Sequence, residues 1–216
     1  MQLALEAVLM ADKQIIPAGA ADWKTASDAE LLICAARQDQ NAFAELVVRY
    51  HAQVYRVAWR LNGGHADTDD IAQETFLKLW KNPGQLREAG ALKGWLMRVA
   101  SNLVMDRYRQ KKTLDLDHAR DVADHSVSAI DILDQAHVAK VIDAAIATLP
   151  DRQKLAITLV HFEHMTNISA AETMEISVDA VESLLARARR ALKVELGSNG
   201  KHILASMAEQ EIGHGK

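Results

Sequence analysis

Ser177-Val-Asp-Ala-Val-Glu-Ser-Leu-Leu-Ala-Arg-Ala-Arg-Arg-Ala-Leu, residues 177–192, sets Val181, Leu184, Leu185, Ala188 and Leu192 at three- and four-residue spacing. That repeat belongs to a helix with one apolar face. Its other face carries Asp179, Glu182, Ser183, Ala186, Arg187 and Arg190. Just upstream, Ile168 to Met174 read as a short helix and Glu175-Ile176-Ser177 as a tight turn, so the pair suggests a helix-turn-helix. Short side chains near the start of the second helix suit base edges, and arginines further along suit phosphates. Spacing alone leaves open an ordinary amphipathic helix with a charged exterior.

The same periodicity extends outward. Leu149-Pro150-Asp151 precedes a helix containing Leu155, Leu159 and Phe162, with the proline and the acid fitting its first turn. Only three prolines and ten glycines interrupt the 216 residues, and no strand pattern emerges, so the predicted fold class is all-α. Two small helical domains are expected at 28–112 and 135–197, between an N-terminal extension, 1–27, and a tail, 198–216. The stretch joining them, 113–134, sets Asp115, Asp117, Asp121, Asp124, Asp131 and Asp134 against Arg120 and lacks a long apolar face. It reads as a flexible acidic connector; mimicry of nucleic acid in a basic channel is an alternative to plain solvation.

Composition narrows the class. A hydrophobic content of 49% supports packed cores, and a net charge of -4 argues against an indiscriminate nucleic-acid coat, leaving DNA binding to local charge placement. No apolar run approaches the roughly 18 residues that span a bilayer. The stretch from Leu3 to Ala11 contains Glu6 and lacks a basic start, so a cytoplasmic location is expected. Cys34 sits in the apolar run Leu31, Leu32, Ala35, Ala36 and reads as a buried, inert thiol.

In the first block, His65-Ala-Asp-Thr-Asp-Asp-Ile places capping side chains and early acids at the start of a helix from about Asp69 to Trp80. Ile71, Ala72, Thr75, Phe76, Leu79 and Trp80 form its core stripe. The opposite stripe, Asp70, Gln73, Glu74, Leu77 and Lys81, mixes charge with one leucine, as either a solvated face or a docking face does. The next helix, about Ala91 to Lys111, runs from Leu92, Trp95, Leu96 and Val99 into Arg107, Arg109, Lys111 and Lys112. Basic residues at a helix C-terminus are favoured by the dipole alone. Trp95 and Tyr108 offer flat surfaces for unpaired bases, although Trp95 fits a core equally well.

Taken together, these stretches resemble a known family. Asp28-Ala-Glu-Leu-Leu, Asn41-Ala-Phe-Ala-Glu-Leu-Val-Val-Arg-Tyr, Asp70-Ile-Ala-Gln-Glu-Thr-Phe-Leu-Lys-Leu-Trp and Gly94-Trp-Leu-Met-Arg-Val-Ala-Ser-Asn-Leu-Val-Met-Asp-Arg-Tyr-Arg resemble successive parts of region 2 of bacterial sigma-70 factors. Leu149-Pro, the helix-turn-helix and the stretch 177–192 resemble region 4. Region 2 joined almost directly to region 4 is the reduced architecture of the extracytoplasmic-function (ECF) class. The resemblance implies that Asp70, Gln73, Glu74 and Leu77 bind core RNA polymerase. It implies minus-10 promoter recognition, with capture of a flipped base, by Trp95, Asn102, Asp106, Arg109 and Lys112. Minus-35 recognition then falls to Ser177, Asp179, Ala180, Glu182, Ser183, Arg187 and Arg190. An anti-sigma factor, a monomeric free state and no membrane insertion are further implications. Two departures stand out: Glu175 occupies a turn position where the family commonly has glycine, and Ser169-Ala-Ala stands where Glu-Ile-Ala is frequent.

Other classes have weaker support. A stand-alone helix-turn-helix regulator would dimerise on a palindromic operator. His161 and His164 flank Glu163, but their three-residue spacing differs from that of His-Glu-x-x-His zinc sites, and no phosphate loop or nucleophile motif accompanies them. No catalytic residue, metal or cofactor is expected.

Overall fold

The computed structural model describes residues 23–83, 86, 89–114 and 135–196. The expected N-terminal extension up to residue 22, most of the acidic connector (115–134) and the tail beyond 196 lie outside the described residues, as do 84, 85, 87 and 88 of the loop before the basic helix. The described chain is all-helical: α1 (Asp28–Ala36), α2 (Gln40–Asn62), α3 (Thr68–Lys81), α4 (Leu92–Leu114), α5 (Gln135–Ala147), α6 (Asp151–Ile157), α7 (Asn167–Met174) and α8 (Val178–Leu196). A 3-10 turn, Ala89–Ala91, leads into α4, and Thr158–Phe162 forms a π turn after α6.

By its contacts the described chain divides into two compact units, one comprising the described residues up to Ala52 with those of Phe76–Lys93, the other Gln53–Thr75 with the described residues from Gly94 onward. In the first, α1 starts in a capping box: Ser27 Oγ accepts from Glu30 N, and the Glu30 carboxylate accepts from Ser27 N at 2.7 Å. These bonds hold the Glu30 carboxyl below its ordinary pKa. Leu31, Leu32, Ala35, Ala42, Leu46, Phe76, Leu79 and Leu92 are buried, and Phe43 meets Trp80 with ring centroids 4.8 Å apart. Arg49 fixes the entry to α1. Its guanidinium reaches Asp28 (2.9 Å), Glu45 (3.0 Å) and the carbonyls of Trp23 (3.0 Å) and Lys24 (3.1 Å). Tyr50 donates to Asp28, and burial followed by this bond pushes its phenol up. Cys34 is half-buried, not buried as expected; burial, with Asp39 nearby, raises its thiol pKa.

The second unit contains the helix-turn-helix. Helix α8 packs against α5, α6 and α7 through Val181, Leu185, Ala188 and Leu192, all buried, with Leu184 half-buried at the edge of the stripe. Ile146, Leu149, Ala156, Ile157, Leu159 and Ala170 complete the core. Thr166 caps α7 by accepting from Ser169 N at 3.1 Å. After α6 the helix widens, so that Glu163 N donates to Thr158 O at 3.1 Å, a five-residue step. A separate turn follows α2 at Gly63 (φ +65°) and Gly64 (φ +78°), where a Cβ on Gly64 would meet the Trp59 ring at 2.9 Å. Glycine there answers both the left-handed backbone and the close approach.

Lys154 is buried in α6, and burial lowers its pKa despite Asp151 one turn earlier. The folded state thus disfavours the charged form that the unfolded chain keeps up to the ordinary value of 10.5. Lys154→Met is expected to stabilise the protein by about 1 kcal/mol at pH 7. The gain is full below the folded-state pKa and shrinks as pH rises toward 10.5, because there the wild-type lysine also enters the core neutral. Urea unfolding of both proteins at neutral and alkaline pH checks it; no gain at pH 7 contradicts it.

Candidate nucleic-acid and protein interfaces

Helix α3 begins with Asp69 and Asp70 in its first turn, where their charge complements the helix dipole. The apolar stripe expected for the core is buried at Ile71, Ala72, Thr75, Phe76 and Leu79, with Trp80 half-buried. On the other side Asp70, Gln73 and Leu77 are exposed, Leu77 by 45%, and Glu74 is half-buried. Glu74 is held at one end: Arg107 Nη2 donates to it at 3.3 Å and Nη1 donates to Asp67 O at 3.2 Å. Arg107 therefore turns toward α3 instead of joining the basic end of α4 as the sequence suggested. A charge partner 33 residues away leaves no periodic signal.

Along α4, Trp95, Asn102, Asp106 and Arg109 follow at intervals of seven, four and three, so they share one stripe. Asn102, Asp106 and Arg109 are exposed and Trp95 is half-buried. Arg109 pairs with Asp106 at 3.4 Å on the open surface, where such a pair adds little stability. Lys112 lies in the last turn of α4, and its side chain is outside the described set. The buried face of the helix is Leu92, Leu96, Met97, Ala100, Leu103 and Val104, so the half-buried Trp95 and Val99 border the core without entering it. Tyr108 is 37% exposed; burial, then Asp151 and Asp67, raises its pKa.

In the helix-turn-helix, Glu175 ends α7 with φ 55° and ψ 47°, the left-handed conformation that glycine ordinarily supplies. The turn geometry is therefore made without glycine, at the strain cost of a side chain in that region. Ser177 is exposed, and its hydroxyl caps α8 by accepting from Ala180 N at 3.2 Å. Asp179, Glu182, Ser183, Arg187 and Arg190 are exposed and Ala180 half-buried, all on α8. Arg190 Nε donates to Ala186 O at 3.2 Å, lying along the helix. The histidines part: His161 is buried in the π turn, while His164 is exposed with φ 53°. Among the described residues no acid, histidine or cysteine group is placed to hold a metal.

Residues 46–113 match the family model for sigma-70 region 2, and residues 139–192 that for sigma-70 region 4. Over 170 residues the chain is 31% identical to the ECF RNA polymerase sigma factor SigW of Bacillus subtilis, covering 73% of this chain and 90% of that one. The chain belongs to the ECF sigma factors.

It is likewise 31% identical over 174 residues to the ECF RNA polymerase sigma factor SigM of Mycobacterium tuberculosis, covering 79% of this sigma factor and 85% of SigM. Among solved structures, CnrH in complex with the cytosolic domain of CnrY aligns with a TM-score of 0.58 and 25% identity, covering 78% of this chain and 96% of that one. RpoE of Bartonella quintana, solved with the anti-sigma factor NepR, shares the fold with a TM-score of 0.61 at 22% identity, covering 72% and 97%. The region 2 match ends at residue 113 and the region 4 match begins at 139, bracketing the acidic connector. No helix among the described residues is long and apolar enough to cross a membrane.

Proposed function

We propose that this ECF sigma factor binds core RNA polymerase, carries it to promoters with minus-35 and minus-10 elements, helps open the duplex, and catalyses no reaction of its own. The observation that carries this reading is the order of the two matched regions, each displaying an exposed polar stripe on a helix whose opposite face is buried. Region 2 (28–112) contributes Asp70, Gln73, Glu74 and Leu77 as the polymerase-binding face. Trp95, Asn102, Asp106, Arg109 and Lys112 form its minus-10 face. A base leaving the stack loses a few kcal/mol, which an aromatic such as Trp95 and polar neighbours offset. Region 4 (135–197) presents Ser177, Asp179, Ala180, Glu182, Ser183, Arg187 and Arg190 to the minus-35 major groove.

The free protein is a cytoplasmic monomer controlled by an anti-sigma factor. For the anti-sigma factor, support comes from RpoE, solved with the anti-sigma factor NepR, and from CnrH, solved with the cytosolic domain of CnrY. Arg187 is exposed on α8, beyond the short side chains that begin the helix. Arg187→Ala is expected to weaken promoter binding by the holoenzyme and reduce the slope of log affinity against log salt by about 1, since one phosphate contact is lost. Core-enzyme affinity stays unchanged; equal loss of both overturns this division of labour. A footprint with core enzyme should show two asymmetric protected elements, whereas a palindromic footprint from the protein alone would indicate a stand-alone regulator.

A further inference from the structure

Where α3 begins, three helices meet on one side chain. Asn62, buried at the end of α2, donates through Nδ2 to one carboxylate oxygen of Asp67. Arg107, from α4, stands 3.6 Å from the other. Its Nη1 also donates to Asp67 O at 3.2 Å, a carbonyl that already accepts from Ile71 N at 3.1 Å in the first turn of α3. Its Nη2 reaches about two turns further along α3, to Glu74 Oε2 at 3.3 Å. Thr68 is buried between them and donates to His65 O at 2.7 Å, so the start of the helix is fastened from both sides.

The joint bears on function because Glu74 belongs to the stripe assigned to polymerase. Asp67, Asp69, Asp70 and Glu74 crowd residues 67–74 with negative charge, and Arg107 brings a cation to them. A lone exposed ion pair contributes little, but the Arg107 side chain is 25% exposed and engages two acids and a carbonyl together. The planar fork of a guanidinium suits such a hold, which the single point of a lysine does not reproduce. Asp106 and Tyr108 on either side are exposed, whereas Arg107 is half-buried against α3. We infer that Arg107 is a positioning residue for polymerase binding: carried on the helix that reads the minus-10 element, it holds Glu74 and the start of α3 in the arrangement that core enzyme meets. A glutamate free to rotate loses that freedom when a partner binds, and one already held does not, so Arg107 raises core affinity through Glu74. The inference deepens the polymerase-binding reading of α3 and rests on it.

Two measurements on the full chain test it. Without polymerase, Arg107→Ala should speed hydrogen exchange at the amides of Ile71–Glu74 roughly tenfold and leave those of Val181–Ala188 unchanged. With sigma-free core enzyme, Arg107→Ala should weaken binding about tenfold, and half-maximal initiation should need correspondingly more factor at an unchanged plateau. Glu74→Ala should also weaken binding, and adding Arg107→Ala to it should cost less than about twofold more, because the arginine then has no glutamate to hold. Unchanged exchange at Ile71–Glu74 overturns the joint. An equal loss of core affinity with and without Glu74 overturns action through Glu74, and a lowered plateau places Arg107 on the promoter instead. A parent that does not bind core contradicts the polymerase reading and this inference with it, while the exchange result still decides whether Arg107 holds α3.

Discussion

Leu77→Arg is expected to lower the affinity for core RNA polymerase by roughly 30-fold or more, about 2 kcal/mol, while leaving the melting temperature nearly unchanged. Leu77 stands 45% exposed on α3 among Asp70, Gln73 and Glu74, so the folded monomer gains little from it. Exposed positions of this kind usually tolerate substitution within about 0.5 kcal/mol of stability. At a protein interface the balance reverses: a leucine encircled by polar residues becomes the desolvated centre, and arginine there places a charge in it. Val48→Ala, at a 74% exposed apolar residue on α2, is the control and should leave polymerase binding intact. Binding titrations with labelled protein measure both. Unchanged affinity in Leu77→Arg removes α3 from the polymerase interface.

Leu185→Ala is expected to cost about 3 kcal/mol of stability and to abolish minus-35 recognition. Leu185 is completely buried on α8, the helix that α5, α6 and α7 all pack against. The loss comprises the transfer of the removed carbons and the cavity left behind, which rigid neighbouring helices fill only in part. Against a net stability of roughly 5–15 kcal/mol for a domain, such a loss frays the helix that presents Arg187 and Arg190. Urea unfolding and the minus-35 half of the footprint report the two effects. A loss below 1 kcal/mol would mean that α8 is not held by this face.

What the sequence disclosed follows from the range of each interaction. The faces of α3 and α8 were legible because a helix repeats every few residues: Ile71, Phe76 and Leu79, and Val181, Leu185, Ala188 and Leu192, are buried as their spacing required. Trp95 could not be decided by spacing because it falls on the border of the α4 core, and it is half-buried. The roles of Arg49 and Arg107 were hidden, since Asp28 and Glu74 lie 21 and 33 residues away and no local rule links them. The same holds for Arg56 with Glu163, separated by 107 residues. The resemblance marked Glu175 as standing where glycine is common, and it takes the left-handed turn position, whereas nothing local signalled that Thr158–Phe162 would widen to a π turn. Both conformations are uncommon for these residue types and are imposed by the packing around them. The family motifs marked Asp70, Gln73, Glu74 and Leu77 as a set, which α3 displays on its outer side, while the polar contacts between distant segments became visible only in three dimensions.

The central claim is most directly tested by mixing the purified full-length protein with sigma-free bacterial core polymerase and mapping transcripts on genomic DNA of the source organism. A one-to-one complex that starts transcripts at fixed sites, each preceded by paired minus-35 and minus-10 elements, is the predicted result. Failure to bind core or to initiate, with any anti-sigma partner excluded from the preparation, would contradict it.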